Sequence, residues 1–273
     1  MRRIHRNRGA RHALVDSTKP SSMKLRKTSL AVLLALCAGL IAPVSPASAG
    51  TKAPGIDVSR FQGTIDWPTV AASGIRFAFV QAARGNGTDC VVKPDQCGAD
   101  PFYAINYANA KAAGIRVGPY HRAFATGSTR AEARADAISE ADVFLLTTGA
   151  LSPGDLLPVL DVESPFTGLT AKRLRTWIRV FVKRVRARLG VKPMIYTNAT
   201  SWGATGDTRE FAKARYPLWV AQWGVSKPSV PAGNWASRGY SVWQYTSSGS
   251  VPGISGRVDL DRLRVGLAKI TIH

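Results

Sequence analysis

The chain has 273 residues, 45% of them hydrophobic, with 37 Lys and Arg against 17 Asp and Glu and a formal charge of +20. Its length allows a substantial buried core. Only 4 histidines and 3 cysteines are present, which argues against a zinc centre and against a Ser-His-Asp hydrolase. His121 is the one plausible internal base, and no G-x-S-x-G turn accompanies it.

The N-terminal stretch reads as an export signal. Met23-Lys24-Leu25-Arg26-Lys27 is a basic start, Leu30 to Ile41 is apolar, and Ala47-Ser48-Ala49 is a small-residue cleavage site. The apolar stretch is too short to span a bilayer. Residues 1–22 are either an extended basic lead or an upstream extension of a chain that starts at Met23. The expected division is therefore a signal peptide over 1–49 and one catalytic domain over 50–273, secreted and extracellular, with no membrane association once the signal is removed. Export leaves Cys90 and Cys97, with six residues between them, and in an oxidising compartment they read as one local disulfide.

Residues 50–273 hold 28 basic and 16 acidic residues, a balance suited to anionic wall polymers and other polyanions. No nucleic-acid recognition motif accompanies the charge, so nucleic acid is not an expected partner. Short apolar runs alternate with amphipathic segments. Strands are expected at Gly55–Val58, Phe77–Gln81, Val117–Tyr120, Val159–Val162, Met194–Tyr196, Leu218–Ala221, Val242–Tyr245 and Val258–Leu260. Helices are expected at Asp100–Ala113, Arg130–Leu146 and Ala171–Leu189. Thr129 and Glu132 form a capping box for the second, and Thr170 caps the third. Gly74, Gly114 and Gly190 punctuate the handovers from helix to strand. Repeated handovers imply parallel strands joined by right-handed crossovers. Eight strands with so few long helices predict an irregular β/α barrel. A doubly wound open sheet is the alternative, although no glycine-rich phosphate loop supports a nucleotide version of it.

Three of these strands carry acids near their C-terminal ends: Asp57 on the first, Asp161 and Glu163 on the fourth, and Asp259 with Asp261 on the last. Asp161 and Glu163 are two residues apart and so project to one side of their strand. Two acids a few ångströms apart cannot both ionise freely, and a proton donor beside an anion is the equipment for cutting a glycosidic bond. The C-terminal mouth of a β/α barrel gathers such groups, and closure makes the first and last strands neighbours, bringing Asp57 close to Asp259. Tyr120, Tyr196, Trp219, Trp223, Trp243 and Tyr245 lie at the same level, with the amides of Gln62, Asn198, Gln222 and Gln244. Aromatic faces and amides suit a sugar.

With these motifs in order, the chain resembles the family 25 glycoside hydrolases, muramidases built on an irregular β/α barrel. The resemblance spans about Gly55 to Leu263. It rests on Gly55-Ile56-Asp57-Val58-Ser59, Gly118-Pro119-Tyr120-His121, Leu160-Asp161-Val162-Glu163, Ile195-Tyr196-Thr197-Asn198, Leu218-Trp219-Val220-Ala221-Gln222-Trp223, Trp243-Gln244-Tyr245 and Val258-Asp259-Leu260-Asp261. It implies hydrolysis of the β-1,4 bond between N-acetylmuramic acid and N-acetylglucosamine in bacterial peptidoglycan. Glu163 would be the proton donor, Asp161 its catalytic partner, and Asp57 and Asp259 supporting acids. Tyr120, Tyr196, Trp219, Gln222, Gln244 and Tyr245 are the expected substrate contacts. No cofactor or metal is expected, and the chain is expected to act as a monomer. A non-catalytic wall-binding barrel and a basic antibacterial protein acting by charge alone are the competing readings. Two departures stand out. Gln81-Ala82-Ala83-Arg84-Gly85 replaces a common Lys-x-x-Glu-Gly pattern, and Arg122 follows Tyr120-His121 where an aromatic residue is usual. Both are expected at the cleft rim, bearing on substrate preference rather than on chemistry.

Overall fold

A computed structural model describes residues 53–87 and 97–273. The signal segment and Cys90 lie outside the described residues, as does the whole of the first of two contact units, residues 1–46. The second unit is built around a closed barrel. Strands β1 (Pro54–Val58), β2 (Phe77–Arg84), β4 (Arg116–Arg122), β5 (Val159–Asp161), β6 (Met194–Thr197), β7 (Leu218–Ala221) and β8 (Val242–Gly249) run parallel in that order. Strand β9 (Val258–Leu263) closes the ring between β8 and β1, antiparallel to both. A two-residue strand β3 (Gly98–Ala99) adds to β2 outside the closure.

The barrel agrees with expectation, and the open sheet is excluded by the β1–β2 pairing. Two features differ from it: β3, too short to carry a periodic signal, and the direction of β9. Only eight residues separate β8 from β9, whereas a parallel return needs a crossover of about a dozen or more. A hairpin is the connection that fits. Asp259 therefore stands near the start of its strand, not its end, and still reaches the mouth.

Strand alternation sorts the apolar residues into two cores. Facing inward are Phe77, Phe79, Tyr120, Val159, Met194, Tyr196, Trp219, Val242 and Leu263, closed at the base by Leu156 and Ile270. The opposite faces, with Ile56, Val80, Val117, Leu160, Ile195 and Val220, pack against the helices. The predicted helices are present as α2 (Tyr103–Ala112), α3 (Arg130–Thr148) and α4 (Ala171–Leu189), alongside α1 (Trp67–Ala72) and the short α5 (Ala199–Gly203) and α6 (Glu210–Lys213). Thr129 and Glu132 make the expected capping box, Thr170 caps α4, and Gly190 ends it in the left-handed conformation. Trp177, Phe181 and Val185 bury one face of α4, while Lys172, Lys183, Arg186 and Arg188 are exposed.

Gly55 is required by a close approach. A Cβ placed there would lie 2.2 Å from the Phe77 ring, which passes across β1 at this level. Overpacking of this kind costs about 1–3 kcal/mol. Gly55→Ala is expected to lower stability by that amount in urea unfolding, with activity falling too because Asp57 lies two residues along the same strand.

Candidate active site

The four predicted acids converge at the barrel mouth. Asp57 and Asp259 are direct partners across the β1–β9 pair. Asp161 ends β5, and Glu163 lies just beyond it with its side chain 26% exposed. All four line one cavity of about 270 Å³, together with Phe61, Gln81, Arg84, Tyr120, Arg122, Tyr196, Trp219, Trp223 and Gln244. A second hollow of about 390 Å³ adjoins it, lined by Ser164, Asn198, Thr200, Ser201, Gln222 and Trp223. Glu163 and Trp223 line both. The carboxylate of Glu163 thus stands on the divide between two sugar-sized spaces.

Hydrogen bonds fix this arrangement from behind. Asn198 donates from Nδ2 to Glu163 Oε1 at 3.1 Å, while its Oδ1 accepts from Ser201 N and caps α5. Gln244 donates to Asp57 Oδ2 at 2.7 Å and accepts from Tyr196 Oη at 2.9 Å and Trp223 Nε1 at 3.1 Å. Trp219 donates Nε1 to Asp261 Oδ1 at 2.8 Å and stacks on Phe79 at 4.6 Å.

Five of the six expected substrate contacts line one or other of these spaces. Gln244 and Trp219 line the cavity at its floor, 2% and 1% exposed, with their polar atoms hydrogen-bonded to protein partners. Tyr245 lies on the opposite face of β8, against the outer core, with the Arg262 guanidinium 3.9 Å from its ring. Tyr120 and Tyr196 line the cavity with Trp219 and Gln244, and Gln222 lines the adjoining hollow, where its side chain accepts from Ser229 N. The exposed aromatic faces belong to Phe61 and Trp223. Each follows a strand whose end opens at the mouth, a position that could have singled them out. His121 takes no part. It lies wholly buried on the outer side of β4, paired with Glu140 at 2.7 Å, and burial with the nearby Arg122 charge lowers its pKa to about 3.

Arg122 is the main residue misplaced by sequence reasoning. It stands among the acids rather than at the rim, with Nε 3.5 Å from Asp161 Oδ2 and Nη2 3.8 Å from Glu163 Oε2. Strand alternation from Tyr120 would have directed it to the mouth. Arg84 lies nearby, over the Phe124 ring at 4.9 Å.

Withdrawal from water dominates the electrostatics. Burial raises Asp57 well above the usual carboxylate range, with Asp259 and Asp261 adding repulsion and Gln244 opposing it. Burial likewise raises Asp261, against the Trp219 hydrogen bond, and brings Asp259 up to about 6. Asp161 is raised by burial first, with Arg122 as the largest opposing influence. Tyr120 and Tyr196 are pushed up by burial and by these same acids, so both phenols keep their protons.

Glycosyl hydrolases family 25 matches the chain over residues 56–254. The chain belongs to this family. Among family 25 relatives it is 36% identical to lysozyme M1 of Streptomyces globisporus over 225 residues, covering 79% of this chain and 69% of that protein. It is 30% identical to an N,O-diacetylmuramidase of Chalaropsis, covering 78% of this chain and 99% of that protein. A solved bacterial lysozyme from Streptomyces coelicolor superposes with a TM-score of 0.67 at 36% identity, covering 80% of this chain and 94% of that one.

The raised acids carry a stability cost with a definite sign. A carboxyl held up to about 6 keeps its proton longer in the folded state. Its contribution is complete below pH of about 4 and is lost as pH rises through about 6. Asp259→Asn is expected to be more stable than the parent at pH 7 by about 1–2 kcal/mol, discounted for partial exposure. It is also expected to be less active. Urea unfolding at pH 4 and pH 7 checks this: the difference between variant and parent should be smaller at pH 4.

Proposed function

We propose that this family 25 enzyme is a secreted lysozyme that hydrolyses the β-1,4 bond between N-acetylmuramic acid and N-acetylglucosamine in bacterial peptidoglycan. In this reading the first 49 residues are removed on export and Cys90 bridges Cys97. The observation that carries the chemistry is the position of Glu163, a carboxylate on the divide between two adjoining cavities, with three further acids on one side. A glycan laid across both would bring its scissile oxygen to that carboxylate.

Glu163 acts as general acid, protonating the leaving oxygen and later drawing a proton from water. Asn198 aims it. Asp161 faces the developing positive charge at the anomeric carbon. Its Oδ1 has no hydrogen-bond partner among the described residues, an acceptor suited to the N–H of an acetamido group turned inward for attack. A direct carboxylate nucleophile is the competing role. Either route has two displacements and retains anomeric configuration. Asp57 and Asp259 support the pair from the β1–β9 seam, while Phe61 and Trp223 offer faces for sugar rings. A wall-binding barrel without turnover has no use for this intact acid set, and killing by charge alone needs none of it.

Glu163→Gln is expected to fold like the parent and bind glycan, with turnover lower by about 10²–10⁴-fold. The measurement is mass spectrometry of fragments released from purified peptidoglycan, where the parent should leave muramic acid at the reducing end. Near-parental release by the variant rules out the assignment.

We also propose that anionic wall polymers attract the enzyme through α4. Four of its eight cations are already engaged, Arg179 with Glu210 at 2.6 Å, Arg184 with Asp142 at 2.5 Å, and Arg173 and Arg175 with the backbone oxygens of Gly168 and Thr205. The exposed set is Lys172, Lys183, Arg186 and Arg188. Changing Lys183, Arg186 and Arg188 to Gln is expected to weaken binding to teichoic-acid-bearing walls about tenfold at low salt. Walls stripped of that polymer should bind parent and variant alike.

A further inference from the structure

Arg122 has no part in the mechanism above, yet its guanidinium makes more contacts in the site than any other side chain described there. It ends β4, opposite Asp161 in the β4–β5 register, and its side chain is 14% exposed. Nη1 donates to Ala123 O at 2.9 Å and to Glu163 O at 3.0 Å, and Nη2 donates to Ser164 O at 3.2 Å. The same group lies 3.5 Å from the Asp161 carboxylate and 3.8 Å from that of Glu163. One planar cation therefore grips the backbone around Glu163 while facing both carboxylates assigned to the chemistry. A guanidinium can do both at once because its donors form a rigid fork.

We propose that Arg122 is a positioning residue, which fixes the Glu163–Ser164 turn against β4 and supplies the counter-charge that Asp161 needs in a mouth crowded with carboxylates. The other charged and titratable groups around Asp161 cannot replace it. Asp57 and Asp259 come from β1 and β9, Glu163 from the turn itself, Tyr120 from β4 and Tyr196 from β6; each is an acid or a phenol. Arg84, from β2, also acts on Asp161, more weakly than Arg122. Removing Arg122 would leave a buried carboxylate facing three others. Its working anion would then survive only at higher pH.

The proposal rests on Glu163 and Asp161 as the catalytic pair, and the test separates the two claims. Arg122→Gln keeps polar contact without charge, and Arg122→Lys keeps charge without the fork. In Arg122→Gln the acidic limb of kcat/KM against pH should move up by about one unit, from loss of an opposite charge at close range. Its kcat at neutral pH should fall at least tenfold, with KM within about threefold. In Arg122→Lys the limb should stay at the parental pH while kcat falls, because the turn has lost its multiple bonds. A folded Arg122→Gln with a parental limb overturns the proposal. If that variant loses its cooperative melt, Arg122→Lys decides: a parental limb with kcat lowered threefold or more supports it, and kcat within twofold of the parent overturns it. An active Glu163→Gln sinks the catalytic pair itself. An inactive Glu163→Gln beside an Arg122→Gln of parental profile sinks only the role of Arg122.

Discussion

Carboxylates withdrawn from water at the barrel mouth are the constraint on which the rest of this structure depends. Asp57 and Asp161 are 6% exposed and Asp261 is wholly buried. Few donors reach them: Gln244 for Asp57, Trp219 for Asp261, Arg122 for Asp161. A buried acid without full compensation is destabilising. Folding must therefore be driven elsewhere, and the site survives because its surroundings cannot relax to relieve it.

Those surroundings are the two apolar cores. Inside the barrel, Phe79, Trp219 and Tyr196 pack ring to ring, at 4.6 Å for the first pair and 4.5 Å for the second. Close-packed aromatic groups resist displacement, so Trp219 Nε1 and the Tyr196 hydroxyl arrive at fixed points under the acids. Outside, α4 buries Trp177, Phe181 and Val185, while its cations face solvent or pair with Glu210 and Asp142. Stability and chemistry are thus assigned to different layers. The inner aromatic layer holds the acids in place, and the outer layer supplies most of the apolar burial.

Much of this was legible in the sequence. Short apolar runs located all eight barrel strands, and caps at Thr129 and Thr170 marked the starts of the two long helices. The convergence of Asp57, Asp161, Glu163 and Asp259 followed from strand ends and closure alone. What escaped has physical reasons. The direction of β9 depends on the length of a loop, not on any periodicity in the strand. Gln244 and Trp219 look like sugar contacts by residue type and line the cleft, and only their depth shows that they also hold the acids from beneath. Arg122 was expected at the rim, although strand alternation from Tyr120 directs it to the mouth. Its place between two carboxylates shows only when β4 and β5 are set side by side.

The seam between β1 and β9 has a consequence for how the molecule comes into being. Asp57 and Asp259 belong to strands at opposite ends of the described chain, and they meet only when the ring shuts. Strand β9 can pair with β8 across a short hairpin, but its pairing with β1 joins the two ends of the ring and closes the longest loop in the barrel. Catalytic competence is accordingly a late event in the life of each molecule. A chain that has acquired its helices and seven strands is nearly folded, yet Asp57 and Asp259 have not met and the acid cluster is incomplete. Appearance of activity during refolding would mark the shutting of this seam, a signal distinct from the earlier gain of helix or of compactness.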